Sequence, residues 1–169
     1  MNKLNDSLKT LIQDDLVRHE GCVLRIYLDS EGLRTFGIGH LVKGTDPEAN
    51  WPVDTPVEYD RVWDCFINDL NIAIQDAEAL IPELYEHPEQ VQRVMINMAF
   101  NLGRRRLGRF KRLLRALEDN DYKEAANQMI DSKWYGQVGR RSKELVRIME
   151  GATIELGTGD ALKGNTCGS

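Results

Sequence analysis

No apolar run in the 169 residues approaches the roughly 20 that a helix needs to cross a bilayer. The first residues, MNKLNDSLKTLIQDDL, also lack the apolar core and small-residue cleavage site of a secretory signal. The expectation is a chain made in the cytoplasm with no membrane anchor. Cysteine is scarce: Cys22, Cys65 and Cys167 are odd in number, far apart and without a CxxC pair. That excludes a disulfide framework and a cysteine zinc site, and leaves free or buried thiols in a reducing compartment. HExxH, an EF-hand ligand series and a Ser/His/Asp set are all missing, so neither metal nor cofactor is expected. Repeats, low-complexity tracts and long linkers are missing too.

What is present is an ordinary globular composition, 41% hydrophobic and 29% charged. A chain of this length buries roughly 70% of its unfolded surface and needs no staple to fold. The net charge of −5 is unevenly spread. Residues 1–90 hold 7 Lys and Arg against 18 Asp and Glu, whereas residues 91–169 hold 15 against 9. The second half could attract an anionic partner.

Leu4, Leu8, Leu11, Ile12 and Leu16 recur at three- and four-residue steps, which predicts an amphipathic helix over 4–19 stopped at Gly21. Leu24, Ile26 and Leu28 alternate with Arg25 and Tyr27, the pattern of a strand over 23–28. DSEG at 29–32 is a turn, and LRTFGIG returns as a second strand. Residues 44–56 read as a loop. Thr55, Pro56 and Glu58 make a helix-start signal, and the stripe Val62, Phe66, Leu70, Ala73, Ala77 and Leu80 predicts one long helix over about 56–81. QVQRVMINMAFNLG is apolar on most faces and should be the central helix of an all-α lobe. Further helices are expected near 107–119, 121–132 (capped by Asp121 and Glu124) and 140–150. From 151 the periodicity fades, and the tail is expected to fray.

The stretch RHEGCVLRIYLDSEGLRTFGIGH concentrates Glu20, Asp29, Thr35 and His40 at the ends of these first elements. Two carboxyl groups across a cleft are the minimum kit for cutting a glycosidic bond: one protonated to donate to the leaving oxygen, one ionised to activate water or attack. Spacing alone does not set these two apart from the other acids among 27. Gly37 and Gly39 do not complete a GxGxxG phosphate loop, which fails at Val42. They are better read as glycines that let a strand run close to a substrate.

The full string, HEG-x7-D-x2-G-x2-T-x-GIGH, closely resembles the catalytic segment of the phage-type lysozymes, glycoside hydrolase family 24. FINDL, INMAFNLG and SKWYGQVGRR resemble later segments of the same family, in the same order over roughly 130 residues. The resemblance implies a mostly α, α+β fold with two lobes. An N-lobe over about 19–60 would carry a small antiparallel sheet. A connecting helix would span about 56–81, and an all-α C-lobe over about 82–155 would pack with the N-terminal helix 4–19. All of it would form one lysozyme-like domain over 1–169.

The resemblance also assigns roles. Glu20 would be the general acid, Asp29 the carboxylate on the far face of the sugar, and Thr35 would help hold the attacking water. His40 would form a structural ion pair with Asp69. Arg141 would orient Glu20, although a cation there favours an ionised carboxyl whereas a general acid must be protonated. Leu41 and Phe100 match positions lining the saccharide cleft; on residue type alone Phe100 reads equally as a core aromatic. Leu113 and Gln128 depart from the family, standing where polar binding side chains are usual.

The implied function is an endolysin. It would be a muramidase that hydrolyses the β-1,4 bond between N-acetylmuramic acid and N-acetylglucosamine, inverting the anomeric carbon. It would act as a monomer on peptidoglycan and lyse the host once a separate holin releases it from the cytoplasm. The rivals are a lytic transglycosylase and a non-catalytic wall- or nucleic-acid-binding module; no nucleic-acid partner is expected. The basic run RRRLGRFKRLLR at 104–115 reads as one helix whose solvated face neutralises the acidic N-lobe, with attraction to anionic wall polymer as an added effect.

Overall fold

A computed structural model describes residues 4–159, with side chains through residue 152. Cys167 and the end of the expected tail lie outside the described residues. Helix α1 (Asp6–Glu20) is capped by Asn5, whose side chain accepts from Leu8 N, and it buries Leu8, Ile12 and Leu16. Leu11 falls outside that stripe and is exposed. The helix stops at Gly21, whose φ of 74° is open to glycine and whose N–H closes the last turn onto Val17 O.

Strands β1 (Val23–Leu28) and β2 (Arg34–Gly37) form the expected hairpin, and β3 (His40–Leu41) adds a third antiparallel strand. The second strand is therefore shorter than LRTFGIG, because Gly37 and Gly39 both have positive φ and turn the chain between β2 and β3. A register shift between Val23 and Tyr27 breaks the simple alternation of β1: Ile26 is buried, while Leu24 and Leu28 face solvent.

The long helix α2 spans Tyr59–Leu80, three residues later than the Thr55–Pro56–Glu58 signal predicts. The reason is tertiary. Residues 54–57 lie along the free edge of β1, with Arg25 bridging to Pro56, Ile26 N donating to Thr55 O and Val57 N to Leu24 O. Thr55 Oγ1 donates back to Pro52 O instead of capping a helix. Sheet pairing covers an otherwise open edge, and that outweighs the local start signal.

Behind α2 stands α3 (Glu89–Leu107), whose Val94, Met95, Ile96 and Met98 are fully buried. Gly103 (φ 73°, ψ 163°) kinks it, and α4 begins only at Lys111 and runs to Glu118. The basic run 104–115 is thus not one helix but two pieces joined through a turn at Gly108. An added Cβ at Gly108 would meet Arg104 O at 3.0 Å. Helix α5 (Tyr122–Ile130) is capped by Asp121, which accepts from Glu124 N. Glu124 spends its own carboxylate on Gln128 and Asn127 rather than closing the box. A short α6 (Lys133–Gln137) leads into α7 (Arg140–Gly159), which continues well past residue 150, where fraying is expected from sequence. Helix α1 packs on α3, and α7 packs on α3 and α5. The fold is mostly α, an α+β arrangement with one small antiparallel sheet, as the resemblance implies.

Beneath β3 a charged clamp fixes the sheet to α2. The His40 Nδ1 lies 2.6 Å from Asp69 on α2, and its Nε2 lies 3.0 Å from Asp46 in the following loop. Asp46 also accepts from Lys43 N, while Arg61 on α2 grips buried Glu48 with two bonds of 2.7 and 2.9 Å. Both imidazole nitrogens face carboxylates, so the doubly protonated ring is the form that fits. Burial works against that charge, but Asp69 and then Asp46 outweigh it and raise the His40 pKa above its ordinary value. A raised folded pKa stabilises the fold fully below the unfolded value of about 6.5, and the contribution is lost as pH rises through the folded value. Urea unfolding should therefore show stability falling on the alkaline side of about pH 6.5, with a flatter dependence in His40→Gln; equal slopes for the two proteins would remove the clamp's role.

Candidate active site

Glu20 is the last residue of α1, and Gly21 turns the chain away at once, so its side chain projects from a helix end. Its Oε1 accepts from Arg141 Nη1 at 2.5 Å. Its Oε2 has no hydrogen-bond partner among the described residues and lies against Gly39, where an added Cβ would come within 2.7 Å of it. Gly39 is therefore glycine for two reasons, its φ of +67° and the passage it leaves for this carboxyl oxygen.

Arg141 is positioned by the sequence around it. Ser132 caps α6, and Ser142 Oγ bonds to Tyr135 O and Gly139 O, which fixes the turn into α7 and sets Arg141 in its first turn. The guanidinium is buried and donates through Nε to Asn97 Oδ1 at 2.9 Å and through Nη2 to Asn97 O. With its oxygen taken, Asn97 turns its amide NH2 toward His19 Nδ1 at 3.2 Å. That geometry calls for the Nε2–H tautomer of His19, which donates to Glu144 at 3.0 Å. Glu144 in turn takes two bonds from Arg18, and Asp15 joins Arg18 to Arg93. The bond from Arg18, helped by His19, holds the Glu144 carboxyl down at about 2.

Asp29 opens the β1–β2 turn. Its Oδ1 accepts from Glu31 N and Leu33 N, both at 2.9 Å, while its own N–H donates to Leu33 O. One carboxylate oxygen thus organises the turn and the other is left over. Thr35 is buried on β2, and its hydroxyl donates to Leu33 O at 3.2 Å, so the oxygen's lone pairs remain to accept. Tyr27 pairs with Thr35 in the hairpin register, which puts both side chains on one face. Burial pushes the Tyr27 phenol up, and the charges of Glu20 and Asp29 push it further.

Leu41 and Phe100 line one cavity of about 290 Å³ together with Gly39, His40 and Asp69. Phe100 also meets Phe66 edge-on at 5.9 Å, so it is at once a core aromatic and a wall of that cavity. The His40–Asp69 pair and the Arg141–Glu20 contact are both in place. Sequence reasoning does not single out Asn97, His19, Glu144, Asp46 or Tyr27; it reads Gly39 as room for a substrate, and the structure fills that room with the Glu20 carboxyl. Tyr27 and His19 carry a local signal, since both sit inside the motif; Asn97 and Glu144 depend on contacts between residues 78 to 126 apart, and Asp46 is a loop carboxylate with nothing distinctive around it. Among the described residues no three His, Cys, Asp or Glu side chains gather as a metal site.

Residues 17–149 match the family described as "Phage lysozyme". Of individual proteins, the chain is 28% identical to "Probable T4-type lysozyme 1" of Dictyostelium discoideum, over 85% of this chain and 95% of that one. It is 26% identical to "Probable T4-type lysozyme 2" of the same organism, over 88% and 96%. It is also 26% identical to "Pre-baseplate central spike protein Gp5" of Enterobacteria phage T4, where 87% of this chain corresponds to 29% of that longer protein.

Asn97 is fully buried and serves both Arg141 and His19. Asn97→Ala should leave a buried guanidinium short of partners and cost about 2–4 kcal/mol in urea unfolding. A loss below about 0.5 kcal/mol would mean that the network is ornamental to the fold.

Proposed function

Because the chain belongs to the phage lysozyme family, whose members are glycosidases acting on bacterial cell-wall peptidoglycan, we propose that it cuts the β-1,4 bond between N-acetylmuramic acid and N-acetylglucosamine. In this reading Glu20 is the general acid, and Asp29 and Thr35 manage the water. The observation that carries it is the division of labour within Glu20: Oε1 is held by Arg141, and Oε2 is unpartnered beside Gly39. A proton on Oε2 passes to the glycosidic oxygen as the bond to the anomeric carbon breaks. A water accepted by Thr35 Oγ1 and the second Asp29 oxygen attacks that carbon from the opposite face and gives its proton to Asp29. As Glu20 loses its proton it gains negative charge, and Arg141 is already at hydrogen-bond distance to stabilise it. The arginine thus favours the ionised state that Glu20 reaches as it gives up its proton.

Water on the far face makes the reaction inverting and favours hydrolysis over the anhydro-sugar route of a lytic transglycosylase. The proposal extends to biology: an endolysin acting as a monomer on host wall after a holin releases it from the cytoplasm. What supports this part is the family itself. Among the described residues no helix is long and apolar enough to cross a membrane.

Glu20→Gln keeps the shape and the bond to Arg141 but removes the titrating group. Solubilisation of isolated cell walls should fall by at least the roughly 10²–10⁴-fold that losing an acid catalyst costs. Near-normal lysis by a folded variant would overturn the assignment. Product mass should show a free reducing end, and NMR within the first moments should show the α-anomer; a β first product would mean that Asp29 attacks directly.

A further inference from the structure

Between α2 and α3 the chain passes through a short 3₁₀ turn, Leu84–Glu86, which faces the end of α4 across a depression of about 360 Å³. Glu83 and Glu86 line it from the turn, and Glu118, the last residue of α4, lines it from that helix. Pro82 and Leu117 supply apolar wall. The three glutamates are exposed, and among the described residues none of them makes an ion pair. No lysine or arginine lines the depression. The end of α4 adds the partial negative charge of its C-terminal carbonyls.

Exposed acids alone would be a solvated surface. What sets this one apart is His87, which lines the depression and is only 6% exposed. Its Nδ1 lies 3.0 Å from the Tyr122 hydroxyl, which donates its own proton to Asn120 Oδ1 at 3.1 Å. The tyrosine oxygen is left to accept, so Nδ1 carries the imidazole proton and Nε2 carries the lone pair. Burial lowers the His87 pKa below its ordinary value in spite of Glu83 and Glu86, so the ring is neutral at neutral pH. Nε2 has no hydrogen-bond partner among the described residues. No fully buried side-chain nitrogen or oxygen among them lacks a partner, so Nε2 reaches open space, and the depression that His87 lines is where it does so. A lone pair and three unpaired carboxylates all accept, and their complement is a cation with several N–H donors. A bare metal ion does not fit, because among the described residues no three His, Cys, Asp or Glu side chains gather to hold one. A primary ammonium puts three donors on one atom, and methylenes attached to it suit Pro82 and Leu117. The volume lies at the small end of the range for small-molecule sites.

We propose that this depression binds a short alkyl diamine. One ammonium donates to His87 Nε2 and a rim carboxylate, the methylenes lie on Pro82 and Leu117, and the second ammonium reaches the remaining acids. None of the lining residues belongs to the Glu20 network or to the cavity of Leu41 and Phe100, so the site stands apart from the proposed reaction and its test needs no wall hydrolysis. The test is a titration of the full chain with 1,4-diaminobutane at constant pH and low salt, followed by nitrogen NMR of the histidine side chains. His87 Nε2 should shift along a saturable curve, while the nitrogens of His19 and His40 stay in place. Uncharged 1,4-butanediol should cause no shift. The triple variant Glu83→Gln, Glu86→Gln, Glu118→Gln changes only exposed residues and should bind about tenfold more weakly. Asp14→Asn, Asp60→Asn and Asp64→Asn together remove the same charge from α1 and α2 and should leave binding unchanged. By calorimetry His87→Phe should lose the binding, with urea unfolding as the check on its fold. The proposal is overturned if His87 Nε2 does not move, or if the α1 and α2 variant is weakened as much as the rim variant, which would mean diffuse attraction to an acidic surface. It is equally overturned if zinc ions at equal concentration displace the diamine, or if N-acetyl-lysine amide binds more tightly than the diamine, which would reassign the site to a metal or to a peptide side chain.

Discussion

The ion pair between Arg141 and Glu20 joins elements 121 residues apart, the end of the first helix and the first turn of the last. The placement of the Glu20 carboxyl leans on it. Arg141 is buried and would be costly without partners, so the fold supplies Asn97 from the central helix, and Asn97 is itself fixed by His19 and Glu144. A buried pair of this kind adds little net stability compared with apolar packing, yet breaking it by removing one partner typically costs about 3–5 kcal/mol. Its value lies in specificity of placement: with α1, α3 and α7 tied at one point, the Glu20 carboxyl has one position rather than several.

That constraint separates the two ends of the chemistry. Arg141, in the first turn of α7, fixes where the Glu20 carboxyl stands. The β1–β2 hairpin fixes where Asp29 and Thr35 stand, because Asp29 closes its own turn and Thr35 is buried within the sheet. The His40 clamp then fixes the sheet to α2. In the proposed reaction, acid and water reach the sugar from elements that belong to different parts of the fold, and the ties at Arg141 and His40 keep the two in register.

Much of this is legible in the sequence alone. The strand over 23–28, the stop at Gly21 and the buried stripe of the long helix follow from local spacing, and Glu20, Asp29, Thr35, His40 and Arg141 follow from resemblance to one family. The failures share a cause. The start signal at Thr55 is local, whereas the backbone of 54–57 is committed to the edge of β1. The apolar stripe across 104–115 suggested one helix, but the kink at Gly103 and the turn at Gly108 split it. The last helix outruns its periodicity. Asn97 and Glu144 look like ordinary polar residues on helices, and His19 shows only as the first letter of the motif. Only the packing of α1, α3 and α7 turns them into the support of Glu20.

The central claim is that Arg141 acts on the reaction through Glu20 and not independently of it. A double-mutant cycle on wall solubilisation tests this directly, using the unmodified protein, Glu20→Gln, Arg141→Gln and the double variant, each checked for folding by urea unfolding. The account predicts that each single change lowers the rate steeply, and that adding Arg141→Gln to Glu20→Gln lowers it no further. If the two losses multiply, the arginine works on the substrate or the water rather than on the acid, and the account of the site built on this pair is wrong.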